Sequence, residues 1–169
     1  LSNHQLSYEN SNHEYRSIFD HMIQKQTNHL LNQIKNSKQV ENKMIGCAAI
    51  ILTGLAYKEE KGYIKNGLNL LKNIIKYSID NQGFPKSRNI RQLIFYLKYL
   101  IIIREWFKES QNLIPEYIDE TIYYLGSSYA FIWQNIKQDI FFNGNYSSEN
   151  NEFDQYLKRF GYTFKNQIN

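Results

Sequence analysis

Apolar residues recur at helical spacing along most of this chain, and that periodicity limits the folds open to it more than any other feature. From Tyr15 to Ile34 they stand three, four or seven positions apart, and the pattern returns in residues 62–79 and 90–108. This spacing places them on one face of an α-helix. Alternation with a period of two is scarce, so we expect little sheet.

Breaks in the periodicity predict where the helices end. The sequence contains only two prolines, and both lie at predicted boundaries. Pro85 belongs to a loop that begins at Asp80, and Pro115 is placed to open a helix in its first turn. Asn143-Gly144 predicts a tight turn. The predicted helices cover about residues 15–34, 40–57, 62–79, 90–108 and 115–133, with a short one near 152–158.

Residues 40–57 are apolar nearly all round and include small side chains such as Gly46 and Gly54. A helix of this kind must be covered on both sides, and short loops between helices make neighbours antiparallel. We therefore predict an all-α fold of layered antiparallel helical hairpins, with 40–57 as the most buried element. Residues 1–145 would form this helical domain, and residues 146–169 a polar, irregular tail.

Composition excludes several classes of protein. The 169 residues are 42% apolar, as in one globular domain, and no apolar run is long enough to cross a membrane. The net charge of +4 comes from basic residues spread through every segment, so we expect neither a nucleic acid nor a membrane as partner. The single cysteine, Cys47, lies in an apolar run and is expected to be a core residue.

No cofactor or metal is expected. Gly62 and Gly67 lack the following Lys-Ser/Thr of a phosphate-binding loop. His13, His21 and His29 stand eight residues apart, whereas a pair of metal ligands on a helix prefers one turn. The sequence begins at Leu1 without a signal-peptide pattern, and we expect it to be a piece of a larger protein.

One ordered set of motifs carries a family resemblance. Asp80-Asn81-Gln82-Gly83-Phe84-Pro85-Lys86-Ser87-Arg88-Asn89 leads into a long apolar helix that reaches Ile103-Arg104, and Phe142-Asn143-Gly144 follows later. This order resembles the helical domain of heparinase II/III-like proteins, in the branch common in alphaproteobacteria. There a loop of the form D-G-G-h-x-S-R-N-P precedes a helix ending in L-R, and an F-N-G turn comes later.

The resemblance covers about residues 1–162 and has several implications. It implies a partial (α/α) toroid here, followed in the full protein by a C-terminal β-sandwich domain as partner. It implies a polysaccharide lyase that acts on acidic, uronate-containing polysaccharide by β-elimination, and a periplasmic or cell-envelope location. We expect these 169 residues alone to be inactive as a lyase.

β-Elimination needs a group that neutralises the uronate carboxylate, a base for the C5 proton and an acid for the leaving oxygen. Asn28-His29 is one candidate pair, with Asn28 as the neutraliser and His29 as acid or base. Arg88 is a third candidate for the catalytic set, because its guanidinium can grip a carboxylate with two hydrogen bonds. Alternatively, His29 is a half-buried helix residue and Asn28 lies on the solvated side, and Arg88 pairs with Asp80 or caps the C-terminal carbonyls of a helix.

Four more residues are candidates for substrate binding: Asn3, His4, Lys86 and Asn89. We predict that the loop around Arg88 and the Asn28-His29 end of the first helix face one cleft.

One departure from the family weakens the catalytic interpretation. Better-known lyases carry a Tyr and a His just after the loop arginine, where this chain has Arg91 and Gln92. A non-catalytic carbohydrate-binding domain or a helical protein-interaction domain therefore remains the alternative function.

Overall fold

The computed structural model describes residues 12–57, 61–134, 140–142, 145–147 and 150–164. These residues form six helices and one two-stranded hairpin. The helices are α1 (His13–Ile34), α2 (Val40–Ala56), α3 (Lys61–Ser78), α4 (Ile90–Glu109), α5 (Glu116–Gln134) and α6 (Asn150–Arg159), and the strands are β1 (Ile140–Phe142) and β2 (Asn145–Ser147). The predicted all-α class and the five long helices are confirmed. None of the described helices is long and apolar enough to cross a membrane.

α2 is covered by three other helices, as predicted from its apolar surface. It contacts α1, α3 and α4, and nine of its residues are buried. Its glycines let neighbours approach closely: a Cβ on Gly46 would lie 2.6 Å from Ile34 Cδ1, and one on Gly54 would lie 2.6 Å from Ile64 Cγ1. The α2 backbone thus packs directly against side chains of α1 and α3.

Hydrogen bonds fix the antiparallel order of the first hairpin. Tyr57, at the end of α2, donates from its hydroxyl to Asp20 Oδ1 (2.9 Å), while Thr27 Oγ1 donates to Thr53 Oγ1 (3.4 Å). Cys47 is buried and free. Burial raises the pKa of its thiol to about 12, so it is an unreactive core residue as predicted.

A side chain caps the start of α1. Ser11 and Glu14 have the spacing of a capping box, but Asn12 is the residue that caps the helix, accepting a hydrogen bond from the Tyr15 backbone N–H at Oδ1 (2.7 Å). Serine and asparagine are both good caps, so spacing alone could not decide between adjacent positions.

The last part of the chain contains a pair of strands and a short helix. β1 and β2 pair antiparallel, with Phe142 opposite Asn145; the predicted turn residues between them, 143 and 144, lie outside the described residues. α6 follows, and its Phe153 and Leu157 belong to the hydrophobic core. The short helix predicted near residues 152–158 is therefore present and is slightly longer than predicted.

Candidate functional site

A groove of about 540 Å³ lies between the start of α2, the first half of α4 and α6. This volume is within the range of small-ligand sites. α2 contributes Glu41 and α6 contributes Glu152, Phe153 and Tyr156. The remaining lining residues come from the N-terminal cap and first turns of α4: Asn89, Arg91, Gln92, Ile94, Phe95 and Lys98.

The α4 wall presents two cations with an aromatic ring between them. Arg91, Phe95 and Lys98 are spaced four and three residues apart, so they lie on one face of the helix. At a helical rise of about 1.5 Å per residue, the positions of Arg91 and Lys98 are about 10 Å apart along the axis. The stripe is therefore long enough to meet two linked sugar rings or a short peptide.

A chain of hydrogen bonds fixes the polar groups at the start of the groove. Ser87 Oγ donates to Gln92 Oε1 (2.6 Å), and Gln92 Nε2 donates to Glu41 Oε1 (2.5 Å). Asn89 caps α4, accepting from the Arg91 backbone N–H at Oδ1 (3.0 Å). Because the Gln92 amide is held from both sides, the Glu41 carboxylate has a defined position at the groove.

The opposite wall is aromatic. Tyr156 on α6 donates from its hydroxyl to the Lys98 carbonyl oxygen (3.0 Å), and the Lys98 ammonium lies 5.9 Å from the centre of the Tyr156 ring. Phe153 stacks beside Tyr156 with ring centres 5.7 Å apart. These contacts connect α6 to α4 across the groove and surround it with apolar ring surface next to charged groups.

The loop between α3 and α4 is built around Asp80. Its Oδ1 accepts hydrogen bonds from the backbone N–H groups of Gln82 (3.0 Å) and Phe84 (2.9 Å), and its Oδ2 lies 2.7 Å from Arg88 Nη1. The Arg88 guanidinium also lies 5.9 Å from the centre of the Phe84 ring. The structure therefore contains the Asp80–Arg88 pair that the sequence left open as the alternative to a sugar contact.

This loop also forms hydrogen bonds with α3 and α5. Lys86 Nζ donates to the Lys76 carbonyl oxygen (2.8 Å). One hydrogen-bond donor of this candidate substrate-binding residue is therefore already used within the chain. Ser128 Oγ on α5 donates to the Gln82 carbonyl oxygen (2.9 Å). Arg88 itself has a φ of 58°, an uncommon conformation for an arginine. The loop therefore has a defined conformation that connects α3, α4 and α5.

Asn28 and His29 lie on α1, away from this loop. Both are exposed, and Asn28 Oδ1 accepts a hydrogen bond from the Tyr63 hydroxyl (3.0 Å). Tyr63 is in the first turn of α3, whereas the loop follows its last turn. The helix between them spans about 22 Å. The structure does not bring Asn28 and His29 together with Arg88, contrary to the prediction that they face one cleft.

Of the other candidates that the structure describes, Asn89 lines the groove and Lys86 does not. Asn3 and His4 lie outside the described residues, so their role stays a prediction. Sequence reasoning did not select Glu41, Lys98 or Tyr156, which come from three different helices. The spacing of Arg91, Phe95 and Lys98 was a visible signal, but helical spacing of mixed residues is also typical of an ordinary surface.

None of the tyrosines with a shifted pKa is prepared to act as a base. Burial raises the pKa of Tyr156 to about 12, and it also raises the pKa of Tyr96, which is 1% exposed. A tyrosine base for β-elimination needs the opposite shift, toward neutral pH. Within the described part of the chain, no group of three His, Cys, Asp or Glu side chains could hold a metal ion.

Comparison of the chain with protein-family models, with curated proteins and with solved structures found no match.

Proposed function

We propose that this chain is the helical, ligand-binding part of a polysaccharide lyase-like protein, and that its groove binds an acidic, uronate-containing oligosaccharide without catalysing its cleavage. Its helical hairpins would form part of an (α/α) toroid that a β-sandwich domain completes. The proposal takes the ligand class from the resemblance to heparinase II/III-like proteins and the binding surface from the groove.

The observation that carries the proposal is the position of residues 89–92. In the resemblance, these residues directly follow the loop arginine, where lyases of the family carry catalytic side chains. In this structure Asn89, Arg91 and Gln92 line the groove. The positions that follow the loop arginine in the resemblance therefore lie in the lining of the cavity, which supports the proposal.

The chemistry of the groove supports binding of a sugar acid. Arg91 and Lys98 offer cations to carboxylates, and an arginine fork matches a carboxylate with two hydrogen bonds. Phe95 and Tyr156 offer ring surfaces on which the apolar face of a sugar can pack. Asn89 and Gln92 add polar groups with set orientations.

The same residues argue against catalysis by this chain alone. Arg91 and Gln92 cannot act as a base near neutral pH, and the pKa of Tyr156 is raised to about 12. His13, His21 and His29 are all on α1, outside the groove lining.

A second function, protein interaction, is favoured by the outer face of α1. Tyr15, Ile18 and Met22 recur at helical spacing and are 46%, 57% and 50% exposed. Contiguous exposed apolar side chains are typical of contact surfaces. This face lies on a different helix from the groove, so the two functions can be tested separately.

Titration calorimetry with uronate-containing oligosaccharides tests the proposal. We expect binding by the chain, loss of about tenfold in affinity for Arg91→Ala, and no effect of Lys65→Ala on the exposed side of α3. We also expect no rise in the ultraviolet absorbance of unsaturated uronate after long incubation. Elimination by this chain, or equal affinity of the Arg91→Ala variant, would contradict the proposal.

A further inference from the structure

We propose that Glu41 and Glu152 make the groove selective for sparsely charged oligosaccharides, so that it accepts carboxylated rings with free hydroxyls and rejects densely sulfated ones. This inference rests on the proposed function and adds a specificity rule to it. It concerns the two acidic side chains of the groove, which the sugar-acid interpretation does not by itself explain.

The two carboxylates lie at the N-terminal ends of helices. Glu41 lies in the first turn of α2 and Glu152 in the first turn of α6. The positive end of a helix dipole stabilises negative charge there. Neither residue forms an ion pair within the part of the chain that the structure describes. Both therefore act as acceptors for whatever enters the groove.

Glu41 is the better positioned of the two. It is half-buried, and Gln92 holds one of its oxygens through the hydrogen bond described above. Its second oxygen can accept from a hydroxyl of a bound sugar without further ordering of the side chain. A fixed acceptor of this kind raises the affinity for a ligand that offers hydrogen-bond donors and lowers it for one that offers only acceptors.

The charges of the groove lining cancel. Two cationic residues on α4, Arg91 and Lys98, and two acidic residues on α2 and α6 line the groove. A neutral groove gains little from a ligand of high charge density, because each extra sulfate that meets a cation brings another close to a carboxylate. Like charges in contact cost binding energy, so the walls select against polyanions.

Binding of matched oligosaccharides tests this rule. Hexasaccharides of hyaluronan and of alginate, each unsulfated and chemically O-sulfated, would be titrated into the chain at low and moderate salt. We expect unsulfated forms to bind about tenfold tighter than sulfated forms at low salt. Glu41→Gln combined with Glu152→Gln should remove this preference, because glutamine keeps the shape and loses the charge. Glu116→Gln, on exposed α5 surface, is the control.

The outcomes separate the two proposals. If the parent chain binds sulfated forms as tightly as unsulfated ones, or if the double variant keeps the preference, the selectivity rule is overturned while the proposed function stands. If no uronate oligosaccharide binds at either salt concentration, the proposed function fails and the selectivity rule falls with it. Circular dichroism of each variant confirms that folding is retained, and the single variants replace the double one if it is not.

Discussion

Asp80 organises the loop after α3, and its contribution depends on pH. Burial raises the pKa of this carboxyl, but hydrogen bonds from the N–H groups of Phe84 and Gln82 and the Arg88 guanidinium outweigh burial and hold it below its ordinary value. The stabilisation is therefore complete above the unfolded pKa of about 3.9 and is lost as pH falls through the lower folded value.

Asp80→Asn tests this dependence. We expect it to lower the free energy of unfolding by about 1 kcal/mol near neutral pH, because the half-exposed pair with Arg88 is lost while one side-chain oxygen still accepts from the backbone. The difference from the parent should shrink below the unfolded pKa. Urea unfolding at several pH values measures it, with the exposed Glu120→Gln as control. A difference that stays constant into acid would contradict the assignment.

Gly83 shows a second constraint on the same loop. Its φ of 79° favours glycine, and an added Cβ would overlap the backbone of Tyr124 on α5. We expect Gly83→Ala to lower the free energy of unfolding by about 2 kcal/mol or more. Gly62→Ala is the matched control, since no atom of the described residues lies within 4 Å of its Cβ position and alanine favours helix. Equal thermal midpoints for the two variants would contradict this packing.

At the scale of elements, α2 offers a test within one helix. Ile51 is fully buried, whereas Ile45 is 45% exposed. Ile51→Ala should cost about 2–5 kcal/mol of unfolding free energy through lost burial and a residual cavity, and Ile45→Ala should change it by less than about 0.5 kcal/mol. Denaturant unfolding of both variants compares them directly. Similar losses would mean that α2 is not the central helix.

The helices were predictable because their apolar periodicity is strong and their breakers are clear. Residues such as Ile51, Leu97 and Leu100 stand at positions that only a buried helix face explains, and all three are fully buried. α6 was predicted only as a short helix near residues 152–158, because two apolar anchors in ten residues give a weak pattern. Its place depends on contacts with residues of α4 and α5, which lie far away in the sequence.

The groove was predicted only in part, for the same physical reason. Asn89 was a candidate from the sequence, and it lines the groove as the cap of α4. Glu41 stands 51 residues from Gln92, to which it is hydrogen-bonded, so no local pattern relates them. Arg88 had the motif of a ligand-binding residue, but a motif does not reveal that Asp80 eight positions earlier already holds its guanidinium.

At the scale of the molecule, α6 decides whether residues 12–164 unfold as one unit. Phe153 is 4% exposed and contacts Tyr129 on α5, with ring centres 5.1 Å apart. If α6 shares the core, Phe153→Ala should lower the free energy of unfolding by about 3–5 kcal/mol. The unfolding midpoints measured by far-ultraviolet circular dichroism and by tryptophan fluorescence should also fall by the same amount, because Trp106 on α4 and Trp133 on α5 would report the same transition.

Lys158→Ala, on the exposed side of α6, is the control and should leave both midpoints unchanged. A fluorescence change that separates from the circular dichroism transition would instead mean that α6 unfolds independently, and the groove would then lose one wall before the helical body melts.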